Sequence, residues 1–121
     1  MNNIFVYGTL LSGRVNHPRF LKDQQFLGSA ILEGYNLYNI GWFPGAIKSG
    51  KSDDKVRGEV YRIDDNTLRR IDFLEDNGEL YLRRYEKVKM IDGSTLEAFV
   101  YEFQKEVQEE NMVSYLNQPW N

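Results

Sequence analysis

The sequence predicts an α+β fold built on a small curved sheet, mixed or mostly antiparallel, with two or three short helices. Three observations carry that prediction. Tyr81–Ile91 and Thr95–Phe103 alternate with period two and flank Asp92-Gly93, a strong hairpin signal. One substantial stretch, ending near Leu74, shows the helical spacing of apolar residues. Gly28 and Gly34 interrupt an otherwise extended run, where they suit bulges or tight bends.

Each element follows in order. Ile4-Phe5-Val6-Tyr7 is short, apolar and β-rich, and it ends at Gly8. Lacking alternation, it reads as a central strand. Gly8–Gly13 is a loop. Asn16 is placed to cap a short helix, with His17 and Pro18 in its first turn and Phe20 and Leu21 on its buried face. Residues 25–40 read as extended. Trp42–Ile47 is apolar and holds a Pro44-Gly45 turn signal. Ser49–Lys55 is polar and reads as an exposed loop. Lys55–Ile63 alternates, with Val56, Gly58, Val60 and Ile63 on or near one face of a strand. Asp64 or Asp65 caps the helix that follows, which runs to about Leu74. Leu68, Ile71 and Leu74, with Phe73 nearby, form its core-facing stripe. Asp76-Asn77-Gly78 ends it, with Asn77 or Gly78 suited to a left-handed backbone. Beyond the hairpin, residues 104–121 form an acidic tail, weakly helical around 111–116.

Composition narrows the function classes. A chain of 121 residues is the size of one domain, 1–121, and can bury an independent core. Eight Tyr, seven Phe and two Trp suggest a tight core or a ring-lined pocket. The absence of cysteine excludes a disulfide framework, a thiolate zinc site and a cysteine nucleophile. His17 is the only histidine, which excludes a multi-histidine metal site. A net charge of −3 lacks the electrostatic footprint of a nucleic-acid binder. No apolar run approaches a membrane span, and the N-terminus lacks the pattern of a secretory leader. A cytoplasmic location is expected.

Two features could carry chemistry. In Tyr7-Gly8-Thr9-Leu10 a strand runs into a glycine turn. Gly8 would let a ligand approach the backbone, and successive N–H groups could bind an anion. An ordinary strand-end turn is the other reading. The second feature is the end of the predicted helix. Asp72 and Glu75 are three apart and share a face. Glu75 also lies near the core-facing stripe, where desolvation would raise its pKa towards a useful general-base value. A fraying helix end, with Glu75 in water, is the alternative.

Several motifs together resemble the gamma-glutamylcyclotransferase-like family, nearest its small gamma-glutamylamine cyclotransferase branch. Phe5-Val6-Tyr7-Gly8-Thr9-Leu10 looks like its signature strand and loop, followed by Gly13 and Asn16-His17. Gly58-Glu59-Val60-Tyr61 is similar to its Gly-Glu-Val-Tyr strand. Leu68–Glu75 followed by Leu80-Tyr81-Leu82-Arg83 resembles its helix, catalytic glutamate and next strand. Phe99-Val100-Tyr101 matches its late strand. The resemblance spans about residues 3 to 103.

That resemblance implies a barrel-like α+β fold with one cavity. It implies that the Tyr7–Leu10 loop holds the glutamyl end of a small gamma-glutamyl substrate and that Glu75 is the catalytic acid/base. In the implied reaction the substrate's α-amine attacks its own γ-amide carbonyl, releasing 5-oxoproline and an amine. It consumes no metal or cofactor and needs no nucleic acid or membrane. Pro44, Tyr81 and Tyr101 are placed as pocket walls, although each tyrosine also fits a core ring with a satisfied hydroxyl. Arg83 either orients Glu75 or supports the sheet. A non-catalytic metabolite-binding protein of the same fold is the alternative function.

Overall fold

A computed structural model describes residues 1–121. In chain order the elements are β1 (Asn2–Val6), α1 (His17–Phe20), β2 (Gln25–Glu33), β3 (Tyr35–Asn39), β4 (Pro44–Lys48), β5 (Lys55–Ile63), α2 (Asp65–Leu74), β6 (Tyr81–Met90), β7 (Thr95–Phe103) and β8 (Met112–Val113). Strands β1, β5, β2, β6 and β7 pair in that order, each antiparallel to the next. A parallel bridge between Ile4 and Phe99 then returns β7 to β1. Five strands therefore close into a barrel. From the far end of β7 the sheet continues through a parallel bridge to β4, then β3 and β8. The fold is α+β and barrel-like, as the sequence predicts.

Strand β1 shows why its sequence lacks alternation. Phe5 and Tyr7 pack into the barrel interior with Val56, Val60, Val88 and Val100. Ile4 and Val6 face the opposite way, into a second core with Leu21, Leu68 and Ile71 under the helices. Both faces are covered, so both are apolar. Strand β5 serves both cores, with Val56 and Val60 inside the barrel and Tyr61 and Ile63 in the second core, so Ile63 does not share the Val56–Val60 face. Gly28 does mark a bulge: the β2–β5 register shifts between Phe26 and Gly28. Gly34, at φ +84°, splits the extended run into β2 and β3.

Several local expectations need correction. Pro44-Gly45 is not a turn but the start of β4. The turn comes earlier, where the Ile40 N–H donates to the Phe43 carbonyl at 2.9 Å. Gly45 is needed because the Phe103 ring lies on it, 2.6 Å from where a Cβ would stand. Asn16 stands at the N-cap of α1, which is one turn long, but its side chain makes no capping bond; its amide goes to Thr9 instead. Phe73 is 89% exposed, on the wrong side of the Leu68–Ile71 stripe. Asp76, at φ +52°, takes the left-handed position after α2; Asn77 does not. The tail is not helical around 111–116 but forms two single 3₁₀ turns around β8. Gln118, buried, fastens it by accepting from the Arg57 N–H at 2.8 Å.

Helix α2 carries Glu75 at its end, and Asp64 starts it. The Asp64 carboxylate accepts the Thr67 N–H at 2.7 Å, which holds its pKa below the usual carboxylate range. Asp64→Ala is expected to lower Tm by a few degrees in thermal denaturation at neutral pH, and Asp64→Asn to restore most of the loss. An unchanged Tm in Asp64→Ala would show that tertiary packing alone sets this helix end.

Candidate active site

A cavity of about 290 Å³ opens at one end of the barrel, where β1, the loop after it, the β3–β4 turn and the end of α2 meet. Tyr7, Gly8, Thr9, Leu10, Pro44, Glu75, Tyr81 and Tyr101 all line it. The eight site residues read from the sequence are thus brought to one place.

Glu75 ends α2 as its C-cap, its N–H bonded to the Ile71 carbonyl. Its side chain lines the cavity and is half-buried. Burial pushes its pKa from 4.5 up to about 7. Burial is the only cause, because no ion pair or hydrogen bond within the chain stabilises the charged form. Asp72 does not share this environment. Its carboxylate accepts from the Tyr101 hydroxyl at 2.5 Å and pairs with Arg83 at 2.6 Å. Arg83 also lies over the Phe99 ring. Arg83 therefore braces α2 against the sheet and does not orient Glu75.

The loop opposite Glu75 presents donors. The N–H groups of Gly8, Thr9 and Leu10 bond to no acceptor within the chain. Gly8 is not there for a left-handed turn. A Cβ at Gly8 would stand 2.8 Å from Pro44 Cδ and Cγ, so the glycine lets the loop lie against the proline ring. Other residues hold the loop in place. Asn16 donates to the Thr9 hydroxyl at 2.9 Å, and the His17 ring nitrogen lies 3.0 Å from the Leu10 carbonyl. Glu59 accepts both the Ser12 N–H and the Tyr61 hydroxyl. Asn16 and His17 thus act on the loop's shape, and His17 does not line the cavity.

The tyrosines are committed. Tyr7 donates to the Tyr101 carbonyl at 2.6 Å and accepts the Ala46 N–H at 3.1 Å. Tyr81 donates to the Pro44 carbonyl at 2.7 Å. Burial pushes all three phenols well above 10, and the Asp72 hydrogen bond adds to this at Tyr101. They remain protonated near neutrality, their protons pointed at internal acceptors. Their contribution to the cavity is ring surface.

The sequence reading missed Val15, Trp42, Phe43, Leu74 and Leu80, which also line the cavity. The signal available was Trp42-Phe43 beside a turn, an unusual place for two large rings. Residues 49–55 do not reach the cavity. No helix is long and apolar enough to cross a membrane.

The family described as gamma-glutamyl cyclotransferase, AIG2-like, matches residues 4–121. The gamma-glutamylcyclotransferase family protein YtfP of Escherichia coli K12 is 36% identical over 104 residues, 86% of this chain and 84% of that protein. The crystal structure of an AIG2-like protein from Mus musculus superposes with a TM-score of 0.78 at 29% identity, over 92% of this chain and 82% of that one. A Pyrococcus horikoshii protein gives a TM-score of 0.72 at 35% identity, covering 93% and 86%.

Proposed function

This chain belongs to the gamma-glutamyl cyclotransferase, AIG2-like family, and from that membership we propose that it is a gamma-glutamylamine cyclotransferase. One observation supports the reading above others: Glu75, a half-buried carboxyl with no partner in the chain, lines the same cavity as Gly8, Thr9 and Leu10, whose N–H groups are unused.

The substrate's α-carboxylate lies against the N–H groups of Gly8, Thr9 and Leu10. That anchor folds the glutamyl chain so that its α-amine meets its own γ-carbonyl carbon. Holding the two groups in place is worth several kcal/mol of the barrier. The α-ammonium first loses one proton, through Glu75, to solvent. The neutral amine then attacks, and a new C–N bond closes the five-membered ring. The attacking nitrogen passes its next proton to Glu75. Glu75 hands that proton to the departing nitrogen, the old C–N bond breaks and the carbonyl re-forms. The products are 5-oxoproline and a free amine, and Glu75 is ionised again. A carboxyl with a pKa near 7 suits both halves of this cycle, because it takes and returns a proton at comparable cost.

The test is release of 5-oxoproline, read by mass spectrometry, from a panel of gamma-glutamyl amines and dipeptides. Release with multiple turnovers is the expected result. Tight binding of 5-oxoproline without any release would mean a metabolite-binding protein. Neither release nor binding would overturn the assignment of this cavity.

A further inference from the structure

The rim of the cavity bears on which amine departs. Trp42 is 92% exposed and Val15 is 77% exposed, yet both line the cavity. The Trp42 indole stacks on no other ring of the chain. An indole buries 150–250 Å² when it finds a partner, so leaving one bare at a cavity mouth forgoes a large contact. Phe43 next to it is the opposite case, packed against Tyr81 and Phe103 at centroid distances of 6.4 Å. The turn between Ile40 and Phe43 holds Trp42 outward while Phe43 anchors it.

Charge points the same way. Glu75 is the only charged residue lining the cavity. The three tyrosine hydroxyls donate to internal acceptors. The uncommitted donors are gathered on residues 8–16: the N–H groups of Gly8, Thr9 and Leu10, the Thr9 hydroxyl, and one amide proton of Asn16. Arg14, the base in that loop, does not line the cavity; its guanidinium is held by the Trp120 carbonyl at 2.6 and 3.1 Å. Once the glutamyl α-carboxylate has taken the loop donors, nothing on the rim pairs a second carboxylate. A charge placed there unpaired is costly. At about 290 Å³ the cavity is at the small end for a ligand site, so the departing group must extend over the rim.

We propose that Trp42, flanked by Val15, is the specificity-determining wall of a leaving-group subsite, and that it selects gamma-glutamyl conjugates of apolar, preferably aromatic, amines without a carboxylate. This rests on the cyclisation reading above. The indole lies beside the departing amine's ring and excludes water from it. Trp42 touches neither the attacking amine nor the γ-carbonyl.

Three conjugates separate the contributions: gamma-glutamyl-phenethylamide, gamma-glutamyl-phenylalanine and gamma-glutamyl-ethylamide. The first two differ by one carboxylate, the first and third by one ring. Both comparisons are expected to favour the phenethylamide in kcat/KM by about tenfold or more, as for apolar groups entering a matching pocket. In Trp42→Ala the phenethylamide-over-ethylamide ratio is expected to fall towards one, mostly through KM. The indole is so exposed that its removal leaves the fold in place. The same three affinities are measured by calorimetry on Glu75→Gln, so the preference is read whether or not the wild type turns over. Equal values across the three, a preference for the phenylalanine conjugate, or an unchanged ratio in Trp42→Ala overturns the subsite. Absence of release from all three, with the affinity preference intact, instead overturns the cyclisation reading alone.

Discussion

Glu75→Gln is expected to cut 5-oxoproline release by about 10²–10⁴-fold, the usual loss when a positioned proton-transfer group is removed. Gln has the same shape but cannot take or return a proton. Affinity for 5-oxoproline is expected to stay close to wild type, because the loop donors at Gly8, Thr9 and Leu10 are untouched. In the wild type, kcat/KM is expected to climb as pH rises through about 7, where Glu75 becomes the carboxylate that acts as base. A variant as active as the wild type would remove Glu75 from the mechanism.

The same substitution has an opposite effect on stability. The native state keeps the Glu75 proton up to about pH 7, whereas the unfolded chain releases it near 4.5. Between those values the native state binds more protons, so stability falls as pH rises. The favourable contribution is complete below about 4.5 and is gone above about 7. A shift of that size corresponds to about 3 kcal/mol. Glu75→Gln removes this titration. Relative to wild type it should therefore gain about 3 kcal/mol between pH 4 and pH 8 in urea denaturation. Parallel pH profiles for the two proteins would show that Glu75 is not desolvated. A buried base that is costly to ionise is thus the place where activity and stability conflict.

Gly58→Ala is expected to be the most damaging small substitution in the barrel. A Cβ at Gly58 would overlap the Val6 carbonyl oxygen and stand 2.6 Å from Phe5 Cζ. The carbonyl belongs to β1 and the ring fills the barrel interior, so neither yields easily. Overpacking of this kind costs about 1–3 kcal/mol, and a backbone obstacle puts this site at the upper end. The measurement is the urea midpoint, with the slope of the transition expected to stay unchanged. An unchanged midpoint would mean that β1 and β5 can separate by several tenths of an ångström at no cost. Separation here would also move Tyr7 and the loop it leads into, so a lowered 5-oxoproline affinity should accompany the loss.

Much of this molecule was legible locally. The alternation of Tyr81–Ile91 against Thr95–Phe103 produced the β6–β7 hairpin, with its register running from Tyr81–Phe103 to Lys89–Thr95. The spacing of Leu68 and Ile71 placed α2, and Asp64, a residue type preferred at helix starts, caps it. These features depend on neighbours within a few residues, so periodicity and side-chain type report them. The errors fall where that condition fails. Pro44-Gly45 carries the composition of a turn, but β3 on one side and the Phe103 ring on the other hold it as a strand. Asn16 has the chemistry of a cap, but Thr9 offers its amide a partner.

The sequence by itself determined β1, β5, the β6–β7 hairpin, the main helix and the glycine bends, and its resemblance to a family singled out the carboxyl and loop that line the cavity. Only the tertiary structure decided what those groups can do. Glu75 has a raised pKa because side chains remote in the sequence crowd around it and strip part of its hydration. Tyr7, Tyr81 and Tyr101 donate their hydroxyl hydrogen bonds to acceptors 94, 37 and 29 residues away. Gly8 is explained by Pro44, and Trp42 by the mouth it borders. Proton affinity, donor availability and exposure are properties of an environment, and the environment here is assembled from six separate stretches of chain.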